Sequence, residues 1–172
     1  MLKRAARAAL LVAMCSIMTA AAPSPPSARK TTAGVAVFAG KLEFTIVDDM
    51  VRLAARGAGW SSPWGEVVAA EATWSPKVDD VMALFAGQLD ALTVNTGTFA
   101  VEFASGDTIR GALKGTIRPR DDGTFGLESA FIATNGTGRF AGVSGGGTLG
   151  GVDDPESLEF RAMLHAKLSV PR

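Results

Sequence analysis

The sequence predicts an all-β domain: a closed, antiparallel, eight-stranded β-barrel with one short helix inserted near residues 76–91. Three observations point there. Apolar residues recur with period two along most of the chain from Ala33 onward, which is the signature of strands. The links between these runs are short and rich in turn residues; in the stretch TNGTGRFAGVSGGGTLGG (Thr134 to Gly151), eight of eighteen residues are glycine. The runs number about eight, and a sheet of that size must pair or hide its edges, which closure into a barrel removes altogether.

In chain order, GVAVFAGKLEFTIVD gives one long strand or two short ones broken at Gly40. MVRLAARGAGW alternates up to a glycine and aromatic corner, and GEVVAAEATW follows. In SPKVDDVMALFAGQLDAL the period changes: Val78, Val81, Met82, Phe85, Leu89 and Leu92 fall at helical spacing. Ser75 is placed to cap this helix and Pro76 to occupy its first position, where a missing N–H costs nothing. Gly87, read as interior, weakens it by about 1 kcal/mol relative to alanine. Strands resume with TGTFAVEFA and DTIRGALKGTIRPR, turn at Asp121–Gly123, and return as TFGLESAFIAT. The last strand, SLEFRAMLHAKLSV, sets Leu158, Phe160, Ala162, Leu164, Ala166 and Leu168 on one face.

The N-terminal segment reads as an address. Lys3, Arg4 and Arg7 precede an uncharged run, Ala8 to Ala22, that ends with Ala20 and Ala22 at the spacing of a cleavage site. This is a secretory signal peptide over residues 1–22, too short to span a bilayer comfortably. Residues 23–32, rich in proline and serine, read as a tether, and residues 33–172 as the barrel domain. The protein is expected in the periplasm, the cell envelope or the medium, with no stable membrane insertion after cleavage. The single cysteine, Cys15, lies within the signal, so the exported chain must rely on a packed core and not on disulfides. Without Lys3, Arg4 and Arg7 the chain carries 14 basic and 17 acidic residues, about −3. That balance argues against nucleic acid as a partner.

The glycine stretch matches two catalytic patterns on paper. Gly136, Gly138 and Ala141 fit a loose dinucleotide fingerprint, but that motif works only between a strand and a helix, and GVSGGG cannot start a helix. Gly142 to Gly146 fit the nucleophile elbow around Ser144, with Asp153, Asp154 and His165 following in hydrolase order. The elbow needs a strand-to-helix turn on a large parallel sheet, which this chain lacks. With one histidine and no cysteine beyond the signal, no metal or cofactor site is expected. The pairs Asp48–Asp49, Asp79–Asp80, Asp121–Asp122 and Asp153–Asp154 read as turn and capping residues.

The segments FAGKLEF, GAGW, WGEVV, FAVEFASGDTIRGALKGT and GTGRFAGVSGGGTLGG together resemble the bacterial branch of the allene oxide cyclase and dirigent barrel superfamily, from Phe38 to Gly151. The resemblance implies an eight-stranded barrel around an apolar cavity. Plant members rearrange or guide reactive lipid and phenolic intermediates, and bacterial relatives include cyclases of natural-product pathways. Plant cyclase pockets use tyrosine, cysteine and asparagine among others. This chain has no tyrosine, and Asn95 and Asn135 fall in predicted turns, so no catalytic residue carries over.

An eight-stranded barrel is filled by its own side chains or holds one small ligand. The expected function is binding of an apolar small molecule in a cavity of roughly 300 Å3 or more. Small residues (Ala36, Ala54, Ala69, Ala100, Ala112, Ala130) lining the interior would leave such a cavity, and inward Phe99, Phe103, Phe125 and Phe131 would fill it. Glu71, Trp74, Phe99, Phe103, Glu128 and Phe131 are the residues placed against a ligand. A cofactor-free cyclase or isomerase is the alternative, with Glu71, Glu102, Glu128 and Arg110 as strand-borne acid or base candidates. A structural or adhesive surface protein is a third reading, for which Trp60, Trp64 and Trp74 would form an exposed rim.

Overall fold

The computed structural model describes residues 28–172; the expected signal peptide and the first half of the tether lie outside them. Eight strands pair in sequence order, each antiparallel to the next, and the eighth returns to the first. They are β1 (Arg29–Val47), β2 (Met50–Ser62), β3 (Gly65–Trp74), β4 (Leu92–Phe103), β5 (Thr108–Pro119), β6 (Phe125–Gly136), β7 (Ser144–Asp154) and β8 (Glu159–Pro171). The barrel is closed, as the number of runs and the edge argument predict.

β1 starts earlier than the tether reading allowed. Arg29 to Thr32 pair with Pro171 to Leu168 of β8 and form the closing seam. The guanidinium of Arg29 donates to the Gly142 and Ser169 carbonyls and to the Ser144 hydroxyl. These bonds hold residues whose composition alone argues for a solvated tether. β1 is also one strand and not two. Gly40 sits opposite Gly57 and Phe160, and a Cβ at Gly40 would strike the Arg56 carbonyl. Gly57 makes room for the Phe160 ring, Gly40 for the β2 backbone, and the β1–β2 ladder runs unbroken.

Three bulges bend the wall: on β3 between Val67 and Ala70, on β4 between Val94 and Gly97, and on β6 between Ala133 and Asn135. Each extra residue sharpens local twist, which a small closed barrel requires. Alternate residues then point inward. Phe38, Val67, Trp74, Phe103, Leu113, Leu127, Phe131 and Phe160 are among the buried core. Outside, Arg56 bridges Glu43 and Glu71 across three strands, and Lys41 pairs with Glu159 at 2.9 Å.

The inserted helix, α1 (Val78–Phe85), is shorter than its apolar spacing suggests. Lys77 is its N-cap, not Ser75, and no side chain caps it. Pro76 and Lys77 are drawn instead into pairing with the β1–β2 hairpin: the Val51 N–H donates to the Pro76 carbonyl, and Lys77 bridges Met50. Gly87, at φ +68°, ends the helix in a left-handed conformation open to glycine. Only Val81 and Leu84 of the helix are fully buried, while Met82 and Phe85 remain exposed and Leu92 belongs to β4. No helix among the described residues is long and apolar enough to cross a membrane.

The glycine stretch closes the opposite end. Phe140, in the short 3-10 turn Gly138–Phe140, is buried and stacks on Phe103 at 5.0 Å. Arg139 stays half exposed, lies over both rings and pairs with Asp107 at 3.0 Å. Gly142 and Gly145 adopt φ of +68° and +118°, and Gly146 to Gly151 run within β7. These glycines serve closure and close approach: a Cβ on Gly147 would run into the His165 carbonyl.

Candidate functional site

The interior is neither one large cavity nor a solid plug. Inward Phe99, Phe103, Phe125 and Phe131 break it into three small apolar spaces lined up along the axis. The first, about 50 Å3, lies under α1 between Val81, Leu84, Phe85, Leu53, Ile117 and Phe125. The middle one, also about 50 Å3, lies among Phe38, Phe99, Leu113, Phe131, Leu149 and Phe160. The far one, about 30 Å3, lies behind the rim formed by Trp64 and Phe103. A water needs on the order of 10–15 Å3 of such space, so each holds only a few waters. The expected volume of roughly 300 Å3 is therefore not present as a single space. The alanines do not supply it, because Ala69, Ala112 and Ala130 are exposed, while Ala100 sits opposite Arg110 and Ala54 opposite Glu43 in the ladders. Ala54 is buried but outside the central cluster of core side chains, which Ala36 alone of that set joins.

The candidate ligand residues divide by the parity of their strands. Trp74, Phe99 and Phe131 line the middle space, and Phe103 lines the far one. Phe99 and Phe131 meet edge to face at 5.2 Å and form the partition between the middle and far spaces. Glu71 borders the middle space but turns its carboxylate outward, and Glu128 points the other way. Glu71 forms its ion pair with Arg56 at 3.3 Å on the outside, and Glu128 is exposed between inward Leu127 and Ser129. Glu102 and Arg110 are exposed as well. The tryptophans do not form one rim: Trp60 is exposed on the outer wall, Trp64 is half-buried at the β2–β3 turn, and Trp74 is buried at the other end of β3.

What the sequence reading missed is Asp153. It continues the inward face of β7 after Leu149 and Gly151, and it lines both the first and the middle space. Across the ladders it meets only Phe125 and Phe160. Burial in this apolar setting pushes its carboxyl up to about 6, with no cation or hydrogen bond to offset it. Its neighbour Asp154 behaves as the turn residue expected of the pair. The Ser157 hydroxyl and the N–H groups of Glu156 and Ser157 donate to it and hold its carboxyl below the usual value. A signal was present in the period-two alternation, which carries the inward face from Leu149 through Gly151 to position 153.

Trp74 stands with Asp153 between the same two spaces, and Leu127 is the third residue they share. The indole N–H of Trp74 is buried and has no acceptor, and the buried Ser129 hydroxyl likewise has no partner. Unpaired buried donors cost free energy and are uncommon in native proteins. α1 roofs the first space and is held there by Phe85 against Phe125 at 5.0 Å. Among the described residues no group of three His, Cys, Asp or Glu side chains gathers as metal ligands would. No known protein family, curated protein or solved structure matches the chain.

Proposed function

We propose that this protein is an exported small barrel that holds a slender apolar molecule in its interior, in the manner of the allene oxide cyclase and dirigent barrels its sequence resembles. The observation that supports this reading is the pair of adjoining spaces beneath α1, walled almost wholly by apolar side chains. Trp74, Leu127 and Asp153 stand between them, and a ligand that displaces these side chains would join them into one longer channel. Their narrowness favours a thin molecule over a ring system of several fused cycles. Entry is by way of α1, whose roof rests on two buried side chains and one aromatic contact.

The cyclase or isomerase alternative loses the four strand-borne residues first considered for it, because Glu71, Glu102, Glu128 and Arg110 all face outward. It keeps a chemical basis only through Asp153.

The test uses Trp74 as its own reporter. A Trp60→Phe, Trp64→Phe double variant leaves Trp74 as the sole indole. Titration with linear alkanes of increasing length should give a saturable change in its emission, and native mass spectrometry of the purified protein should show a bound small molecule. No saturable change with any chain length would refute the binding reading.

A further inference from the structure

Three groups of the interior are polar, and packing uses none of them: Asp153, the Trp74 indole N–H and the Ser129 hydroxyl. Asp153 is the one whose placement is hardest to explain by folding. Asp107, Asp122 and Asp154 each accept hydrogen bonds, and Asp107 also pairs with Arg139. Asp153 has no such partner, although a leucine in its place would complete an apolar wall. Of the side chains lining the interior spaces, Glu71 is the other acid, and its carboxylate turns out to Arg56. An unpaired acid facing an apolar space is a recurrent mark of proton chemistry.

Trp74 supplies the complementary function. It is almost fully buried, it borders the same two spaces, and its N–H lacks an acceptor. An unpaired donor and an unpaired acid on two residues that line the same two spaces suit, after a turn of the indole into them, a substrate that offers an acceptor oxygen next to a weakly acidic carbon. A carbonyl group provides both.

We propose that Asp153 and Trp74 form a dyad that binds the carbonyl group of a slender apolar ketone or aldehyde and moves a proton at the carbon beside it. This rests on the reading that the interior takes an apolar ligand. The Asp153 carboxylate removes a proton from the carbon adjacent to the carbonyl. The C–H bonding pair becomes the new C=C bond, and the C=O π pair moves onto oxygen. The Trp74 N–H donates to that oxygen as its charge grows. Asp153, now a carboxylic acid, returns the proton to the same carbon, or to the third carbon of a conjugated enolate, which shifts a double bond. Nothing is oxidised or reduced, and no co-reactant is needed. A base that titrates near 6 is ionised at neutral pH and still strong enough to accept the proton. The residues that face it across the ladders, Phe125 and Phe160, and those above it on α1, Val81 and Leu84, do not titrate. Its nearest charged neighbours along the ladder are Asp154, Glu159 and Arg161: the first two are tied to Ser157 and Lys41, and Arg161 is exposed opposite Val152.

The experiment compares methyl butyl ketone with the branched alkane of the same shape, using the variant that keeps Trp74 as sole indole. Binding is read from indole emission. Proton transfer is read by NMR as deuterium incorporation beside the carbonyl in D2O. The ketone should bind about tenfold more tightly than the alkane. The protein should accelerate exchange about a hundredfold over Asp153→Asn, in which Trp74 still reports ketone binding. Trp74→Phe, assayed by NMR alone, should lose most of the exchange. Exchange should also fall as pH drops through about 6. Equal binding of ketone and alkane with no exchange overturns the dyad and leaves the apolar-ligand reading intact. Exchange that persists in Asp153→Asn overturns it too. Failure of both compounds to bind overturns both readings. Circular dichroism checks that each variant keeps its strands; if Asp153→Asn does not, Asp153→Ser replaces it in the same comparison.

Discussion

Asp153 and Asp154 are adjacent in the chain, and one Cβ alternation separates a half-buried, inward acid from a turn acid. The consequence for stability has a definite sign. The unfolded chain releases the Asp153 proton near 3.8 and the folded one near about 6. Below about pH 4 both states hold the proton, and the group costs the fold little. Between about 4 and 6 the unfolded chain ionises first, so stability falls as pH rises. Above that window the loss is constant, about 2–3 kcal/mol at roughly 1.4 kcal/mol per pH unit. Asp153→Asn should flatten this slope and raise stability at neutral pH by about 1–2 kcal/mol, measured by urea unfolding at several pH values. An unchanged slope would mean that water reaches the carboxylate. Ser129→Ala removes a buried hydroxyl that has no acceptor. It should be neutral or stabilising by about 1 kcal/mol in the same assay, where most core truncations destabilise.

At the scale of elements, α1 shows how tertiary context trims a pattern. Its apolar spacing runs on to Leu92, but Gly87 turns left-handed after the helix and Leu92 is captured by β4. Gly87 therefore stabilises the helix end, whereas in a helix interior it would weaken it. Gly87→Ala should destabilise by about 1 kcal/mol, read from the thermal midpoint, because alanine resists φ +68°. A rise in the midpoint would place Gly87 back inside a helix. Phe85→Ala should loosen the roof of the first space, since Phe125 is the ring that Phe85 packs against. Faster hydrogen exchange confined to α1 is the expected readout. At the other end the GTGRFAG segment acts as a rim plug, with Phe140 buried and Arg139 wet. That division follows from residue type alone, because an arginine keeps its charged head in water while an aromatic ring seeks cover.

At the scale of the whole molecule, stability depends on one seam. β1 pairs with β8 over Arg29–Lys41 and with β2 over Val35–Val47, and Arg29 ties the start of β1 to Gly142, Ser144 and Ser169. An open eight-stranded sheet would expose two edges to association. Arg29→Ala should lower stability by about 1 kcal/mol, since the bonds it removes are exposed to solvent. Removing residues 29–32 should cost far more and promote oligomers in size-exclusion chromatography, because it unpairs the end of β8.

What the sequence determined by itself was the class: period-two alternation, close-set turns and glycines at the bends specify a curved antiparallel sheet, and edge avoidance specifies its closure. Those are local properties, carried by neighbours a few residues apart. The interior was decided only in three dimensions. Both faces of several strands are apolar, so alternation did not say which face turned inward, and three bulges reset the parity along the way. Phe99 and Phe131 meet because β4 and β6 curve around β5. Asp153 faces the interior because β7 continues through a pair that reads as a turn. Its environment is made by Phe125, Phe160 and Trp74, residues of three other strands, and burial among distant parts of the chain is a quantity no local pattern encodes.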